Sequence, residues 1–142
     1  MIMPYSGSCL CGSIRYEIHR NHLNAIHCYC GMCRKAHGTA FSTHVLATPT
    51  QIMWTHGESL RKAYESSSKS FREFCPECGT HLLVHGQSGD GSLAIPAGTI
   101  DGDSELTIMG HMYTEELVSW YTIADDLPQH KQWPAGFGPN QI

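Results

Sequence analysis

The residues of this chain best equipped for chemistry are its seven cysteines, and they fall in three tight clusters. Cys9-Leu10-Cys11-Gly12 comes first, Cys28-Tyr29-Cys30-Gly31-Met32-Cys33 second and Cys75-Pro76-Glu77-Cys78-Gly79 third. Thiolates one or two residues apart on a turn can converge on a single ion, and zinc is the ordinary ion for such soft tetrahedral sites. Four thiols complete a structural zinc. The remaining three leave a second zinc one protein ligand short, which is how catalytic zinc is held. Pro76 fixes φ directly after a ligand. Gly12 and Gly79 each follow a ligand and tolerate positive φ, so backbone N–H groups can turn toward sulfur. The bland reading is buried free cysteines, and paired close spacing speaks against it. An odd count also fits a disulfide framework poorly.

The middle cluster offers three thiolates within six residues. Around a divalent ion they leave the centre net negative, and Arg34-Lys35 follows directly. Those cations could offset the excess charge or receive an anionic substrate, with Arg34 the better candidate for substrate contact. A thiol entering the open position would lose its proton, because a coordinating thiol is deprotonated outright. The competing structural reading fills that position with a histidine. The chain has ten of them, and His27, His37 and His44 are nearest in sequence. A redox role for Cys30 and Cys33 is weaker, since the strand-then-helix βαβ setting of such pairs is not visible. His111 shows no partner in the sequence, and Trp54, Trp120 and Tyr121 read as core aromatics.

The elements that must position these thiols read as short strands. Ser13 to Ile18 alternates, with Ile14, Tyr16 and Ile18 on one face and Arg15 and Glu17 on the other. Further strands are expected through Ala25-Ile26-His27, Thr39 to Leu46 (ended by Pro49), Gln51 to Thr55, Phe71 to Phe74, Thr80 to His85, Leu93 to Ile95, Ile108 to Tyr113 and Val118 to Ile123. Gly57-Glu58 is a turn. Leu60 to Tyr64 fits either a strand or one helical turn. Gly86 to Gly91 reads as a flexible loop. From Pro128 the chain is rich in Pro, Gly and Gln, with Trp133 and Phe137 as anchors for an extended tail. No repeat and no long helix is visible, so the fold class expected is all-β.

At 142 residues the chain fits a single domain. Its formal net charge is -4 and its pI about 6.2, which argues against a nucleic-acid partner. No apolar run approaches the ~20 residues a spanning helix needs, and no signal peptide is evident, so a cytoplasmic setting with reduced thiols is expected.

Gly7 to Tyr16, with Cys9-Leu10-Cys11-Gly12 at its centre, resembles the opening motif of the glutathione-dependent formaldehyde-activating enzyme family, which also includes centromere protein V. Cys28 to Lys35 followed by Gly38-Thr39-Ala40-Phe41 resembles its middle motif, and Phe74 to Thr80 its third. Gly110-His111-Met112-Tyr113, Trp120-Tyr121 and Asp126-Leu127-Pro128 resemble its ending. The resemblance implies a β-tent fold of small stacked antiparallel sheets, occupying residues 5–128, with 129–142 as a C-terminal tail. It implies two zinc ions per chain: a structural one on Cys9, Cys11, Cys75 and Cys78, and an exchangeable one on Cys28, Cys30 and Cys33. It implies carbon–sulfur lyase chemistry, in which glutathione or a related thiol condenses with formaldehyde to S-hydroxymethylglutathione. The alternative is a non-catalytic zinc module that carries glutathione or docks a protein; self-association stays open. Many members carry His between the first two cysteines of the middle motif, where this chain has Tyr29.

Overall fold

Short alternating segments build two sheets here, with a single short α-helix among the described elements. The computed structural model describes residues 3–86 and 91–135. Most of the expected 86–91 loop, and Phe137, lie outside the described residues. The strands are β1 (Tyr5–Ser8), β2 (Arg15–Ile18), β3 (Leu23–Cys28), β4 (Ser42–Ala47), β5 (Ile52–His56), β6 (Lys62–Ser67), β7 (Ser70–Phe74), β8 (His81–His85), β9 (Leu93–Pro96) and β10 (Leu106–Met112). Helix α1 (Gly31–His37) lies between β3 and β4. One sheet has the order β1-β2-β5; the other runs β10-β3-β4-β9-β8-β7-β6. Neighbours are antiparallel except for β10 on β3. The fold is therefore all-β, and no described helix is long and apolar enough to cross a membrane.

The core follows from the alternation. Ile14, Tyr16 and Ile18 from the smaller sheet and its approach are buried against Leu23, Ala25, Val45, Leu82 and Ile95 from the larger one. Each such side chain contributes about 1.5–3 kcal/mol on burial. Gly7 pairs with Tyr16 across β1 and β2, and the Tyr16 ring lies directly over it. A Cβ on Gly7 would meet that ring at 2.1 Å, so only glycine admits the tyrosine here. The phenol oxygen reaches Thr99 Oγ1 at 2.6 Å.

The middle cysteines, Val118 to Ile123 and Trp120 depart from expectation, and the open reading of Leu60 to Tyr64 is decided. The middle cysteines open a helix: Cys30 caps it by accepting from the Cys33 N–H at 3.3 Å, and Gly38 ends it in the left-handed region. Seven residues are too few to show a helical period in sequence. Leu60 to Tyr64 leads into β6, an edge strand with few buried side chains. Val118 to Ile123 is a turn and irregular chain instead of a strand, and Trp120 is 71% exposed instead of core. The free edge of β10 is met by the backbone of Pro128 and His130, which leaves no place there for another strand.

Candidate metal centres and the adjoining cavity

The first centre joins the two sheets. Cys9 and Cys11 lie in the β1–β2 loop, Cys75 and Cys78 in the β7–β8 loop, and all four sulfurs lie within 4.8 Å of one another. Cys9 Sγ is 3.6 Å from Cys11 Sγ, which is 3.8 Å from Cys75 Sγ. Both glycines take the positive φ their positions suggested, while their own N–H groups go to carbonyl oxygens and not to sulfur. Gly12 donates to the Cys9 carbonyl at 3.0 Å and Gly79 to the Cys75 carbonyl at 2.8 Å, both at positive φ. Ile14 N–H donates to Cys9 Sγ at 3.3 Å. Thr80 Oγ1 accepts from Leu10 N–H at 3.0 Å and lies 3.2 Å from Cys78 Sγ, so one hydroxyl clamps both loops. That contact, first of all, draws the Cys78 thiol down to about 5. Ser13 lowers Cys11 in the same way. Four converging thiols, two of them eased toward thiolate, fit a tetrahedral metal ion.

The second centre sits where β3 ends and α1 begins. Cys28 closes the strand, Cys30 caps the helix and Cys33 lies one turn in, their sulfurs again within 4.8 Å of one another. Contacts with the other two sulfurs push the Cys28 thiol up and pull Cys33 down. The trio can hold a metal ion through three donors of one kind. Among the described residues no histidine joins this group within that distance. His27 is held on Thr43 Oγ1 at 2.7 Å. His37 and His44 lie beside each other behind Cys33, both held down at about 4, chiefly by burial. Cys30 and Cys33 do follow a strand and enter a helix, yet β4 returns antiparallel to β3, so the unit is not βαβ.

All three sulfur ligands of this centre line a cavity of about 390 Å³. Leu46, Val84, Ala94 and Met112 give it apolar walls, and Arg72, His85, Tyr113 and Glu116 add polar groups. Trp133, from the segment expected to be tail, forms part of the wall. Arg34 turns back to donate from Nε to the Tyr29 carbonyl at 3.1 Å, bracing the cysteine loop. Its guanidinium lies 3.6 Å from where a Cβ on Gly31 would stand; Gly31 lines the cavity and Arg34 itself does not. Glu116 accepts from Gly31 N–H at 3.2 Å. Lys35 faces a groove on the far side of Arg72.

Tyr29 points the other way from its flanking cysteines and is fully buried. Its hydroxyl meets His111 Nδ1 at 2.8 Å, and His111 Nε2 meets Asp125 at 2.9 and 3.1 Å. The hydrogen bond with His111 lowers the Asp125 carboxyl, so Asp125 is an anion and Nε2 carries the proton given to it. With the proton on Nε2, Nδ1 is the nitrogen that can accept from the Tyr29 hydroxyl. Asp125 and Arg72 are functional candidates that sequence reasoning missed. Arg72 shares the buried face of β7 with Ser70, a placement that the strand's register gives and its residue type does not.

Residues 4–116 match the sequence profile of the glutathione-dependent formaldehyde-activating enzyme family. The chain belongs to this family. A relative from Halomonas elongata, provisionally named a glutathione-dependent formaldehyde-activating enzyme, is 30% identical over 88 residues. That match covers 58% of this chain and spans only 56% of the relative's length. A crystal structure of a Rhodobacter sphaeroides protein superposes with a TM-score of 0.59 at 18% identity, covering 72% of this chain and 98% of that one. This second likeness supports the fold alone.

Proposed function

We propose that this family member is a zinc-dependent carbon–sulfur enzyme, joining the thiol of glutathione or a related molecule to a small aldehyde, as an S-hydroxymethylglutathione synthase does. The observation that carries the reading is that Cys28, Cys30 and Cys33 converge on one point of a cavity wall, with no histidine in the group among the described residues. Cys9, Cys11, Cys75 and Cys78 would hold a structural zinc, and the middle trio an exchangeable one. Zinc bound at the trio supplies the charge that keeps a coordinating thiol deprotonated near neutral pH.

The chain's own residues do the rest. Leu46, Val84, Ala94 and Met112 exclude water from around the sulfur and favour two reactants held side by side. In the reaction a sulfur–carbon bond forms, the carbonyl π bond opens, and the thiol proton ends on the new hydroxyl oxygen. Tyr113 has its phenol pushed up, chiefly by burial, so it stays protonated at neutral pH and can donate a hydrogen bond to that oxygen. Arg34, held on the Tyr29 carbonyl next to the cavity-lining Gly31, would favour an anionic thiol.

Calorimetry with glutathione and S-methylglutathione tests the reading. Glutathione should bind, and more weakly as pH falls, because ligation releases the thiol proton. Equal binding of the S-methyl compound would show that sulfur does not reach the metal.

A further inference from the structure

Behind the three-thiol centre, four elements bring together four polar side chains. Arg72 comes from β7, His44 from β4, His81 from β8 and His37 from α1. The His37 ring lies 4.7 Å from that of His81 and 5.4 Å from that of His44. Arg72 is 7% exposed and His44 2%. Arg72 directs Nη2 at Cys33 Sγ, 3.6 Å away. Five other nitrogens of the cluster are buried with no hydrogen-bond partner among the described residues: Arg72 Nε and Nη1, His37 Nε2, His44 Nε2 and His81 Nδ1.

A cluster with this many orphaned nitrogens is not explained by structure alone. Buried polar atoms are normally satisfied, and a buried guanidinium cannot shed its charge by losing a proton. A single weak contact to one thiol uses one of its five donors. Neutral His37 and His44 can each add one N–H donor through Nε2, whereas the N–H of His81 is directed at the Ala36 backbone, so Arg72, His37 and His44 are the groups able to surround an oxyanion. Arg72 supplies a permanent charge that already faces the Cys33 sulfur, so a singly charged anion suits the site better than a dianion. Arg72 and His44 also line the cavity onto which the cysteines open.

We propose that Arg72, supported by His44 at the cavity wall and His37 behind it, forms a carboxylate-binding subsite of this cavity, so that one of the two reactants carries a carboxylate close to its reacting atom. The closeness follows from the 3.6 Å between Arg72 and Cys33 Sγ. The identity of the reactants rests on the function proposed above; the anion site itself does not. The carboxylate could belong to the thiol or to the carbonyl compound, as in an oxo-acid.

The test uses the metal-loaded full chain, with zinc content measured throughout. One arm compares binding of mercaptoacetate with 2-mercaptoethanol; the other compares glyoxylate with formaldehyde. In one pair the carboxylate-bearing compound should bind about tenfold or more tighter, the value of a charge-assisted hydrogen bond. Arg72→Gln should abolish that preference and Arg72→Lys should keep part of it. The pair that responds identifies which reactant carries the carboxylate. In a third arm, acetate alone is titrated while the imidazole NMR signals are followed. It should shift His37 and His44 in the wild type and not in Arg72→Gln. Failure of both thiols to bind, with acetate still shifting those signals, would sink the proposed function and leave the subsite standing. If neither pair discriminates and acetate leaves the wild-type signals unmoved, Arg72 merely balances the charge of Cys33 and the subsite is wrong. That result needs no variant, so it stands even if Arg72→Gln does not fold.

Discussion

Tyr29 shows how a residue between two candidate metal-binding cysteines can serve the fold. Its hydroxyl meets His111 Nδ1, to which it can donate, and Asp125 fixes the ring from the other side. Tyr29→Phe keeps the ring packing against Phe41 and Tyr121 and orphans a buried nitrogen. The expected cost is about 1–3 kcal/mol, read as a lower melting temperature with zinc content preserved. An unchanged melting temperature would show that the relay holds nothing. Tyr16 gives a prediction with a sign fixed by burial. Desolvation pushes its phenol from 10.0 up to about 12. The unfolded chain therefore releases this proton first, and the stability Tyr16 contributes is present below pH 10 and lost as pH rises toward about 12, at up to about 1.4 kcal/mol per pH unit. In alkaline denaturation series Tyr16→Phe should show a shallower decline than the wild type; an identical slope would contradict the burial argument. At this scale the seven cysteines were legible because their spacing is itself the signal. Arg72 was not, because its partner Cys33 lies 39 residues away and only the register of β7 aims it there.

Among the elements, β10 and the segment that follows it were the hardest to read. The strand shifts register between Ile108 and His111, and Gly110 sits at the shift with φ +154. A Cβ there would lie 2.6 Å from the Pro128 carbonyl oxygen. That oxygen accepts from His111 N–H at 2.9 Å, and His130 N–H donates back to the His111 carbonyl at 2.8 Å. The returning chain thus acts as a partial strand and carries Trp133 to the cavity wall. In sequence it looked like a loose tail, because Pro and Gly mask a pairing made by only a few backbone bonds. The misread strand at Val118 to Ile123 has the complementary cause: its side chains alternate, but the edge it would need is already taken. Gly110→Ala should push the 128–130 backbone away from β10 and weaken thiol binding, while the remote Cys9, Cys11, Cys75 and Cys78 centre keeps its metal. Hydrogen exchange of the His130 amide checks this, and a protected amide in the variant would contradict it. The strands flanking the cysteine loops were read well: β2 alternates directly after the first cluster, β3 runs into the second, and β7 and β8 lead into and out of the third.

For the whole molecule the two centres hold different things together. The first bridges the β1–β2 loop of the smaller sheet and the β7–β8 loop of the larger, far apart in sequence. The second is local, spanning one strand end and one helical turn. A structural zinc contributes about 10–16 kcal/mol in small domains, against about 5–15 kcal/mol net for a whole domain. Losing the first ion should therefore cost the fold, and losing the second mainly the chemistry. Cys78→Ser should abolish the cooperative thermal transition or yield aggregated protein. Cys33→Ser should keep that transition and lose one zinc equivalent by elemental analysis. Limited chelator should act in the same order, removing the second ion first and abolishing thiol binding before any loss of β-structure in circular dichroism. Arg72 complicates the second variant in a useful way, since Cys33→Ser also removes the sulfur its Nη2 contacts. The double variant Cys33→Ser with Arg72→Gln should then melt higher than Cys33→Ser alone, because no buried charge is left facing an uncharged site. Equal melting temperatures for Cys78→Ser and Cys33→Ser would contradict this division between a centre that ties the sheets and a centre that serves the cavity.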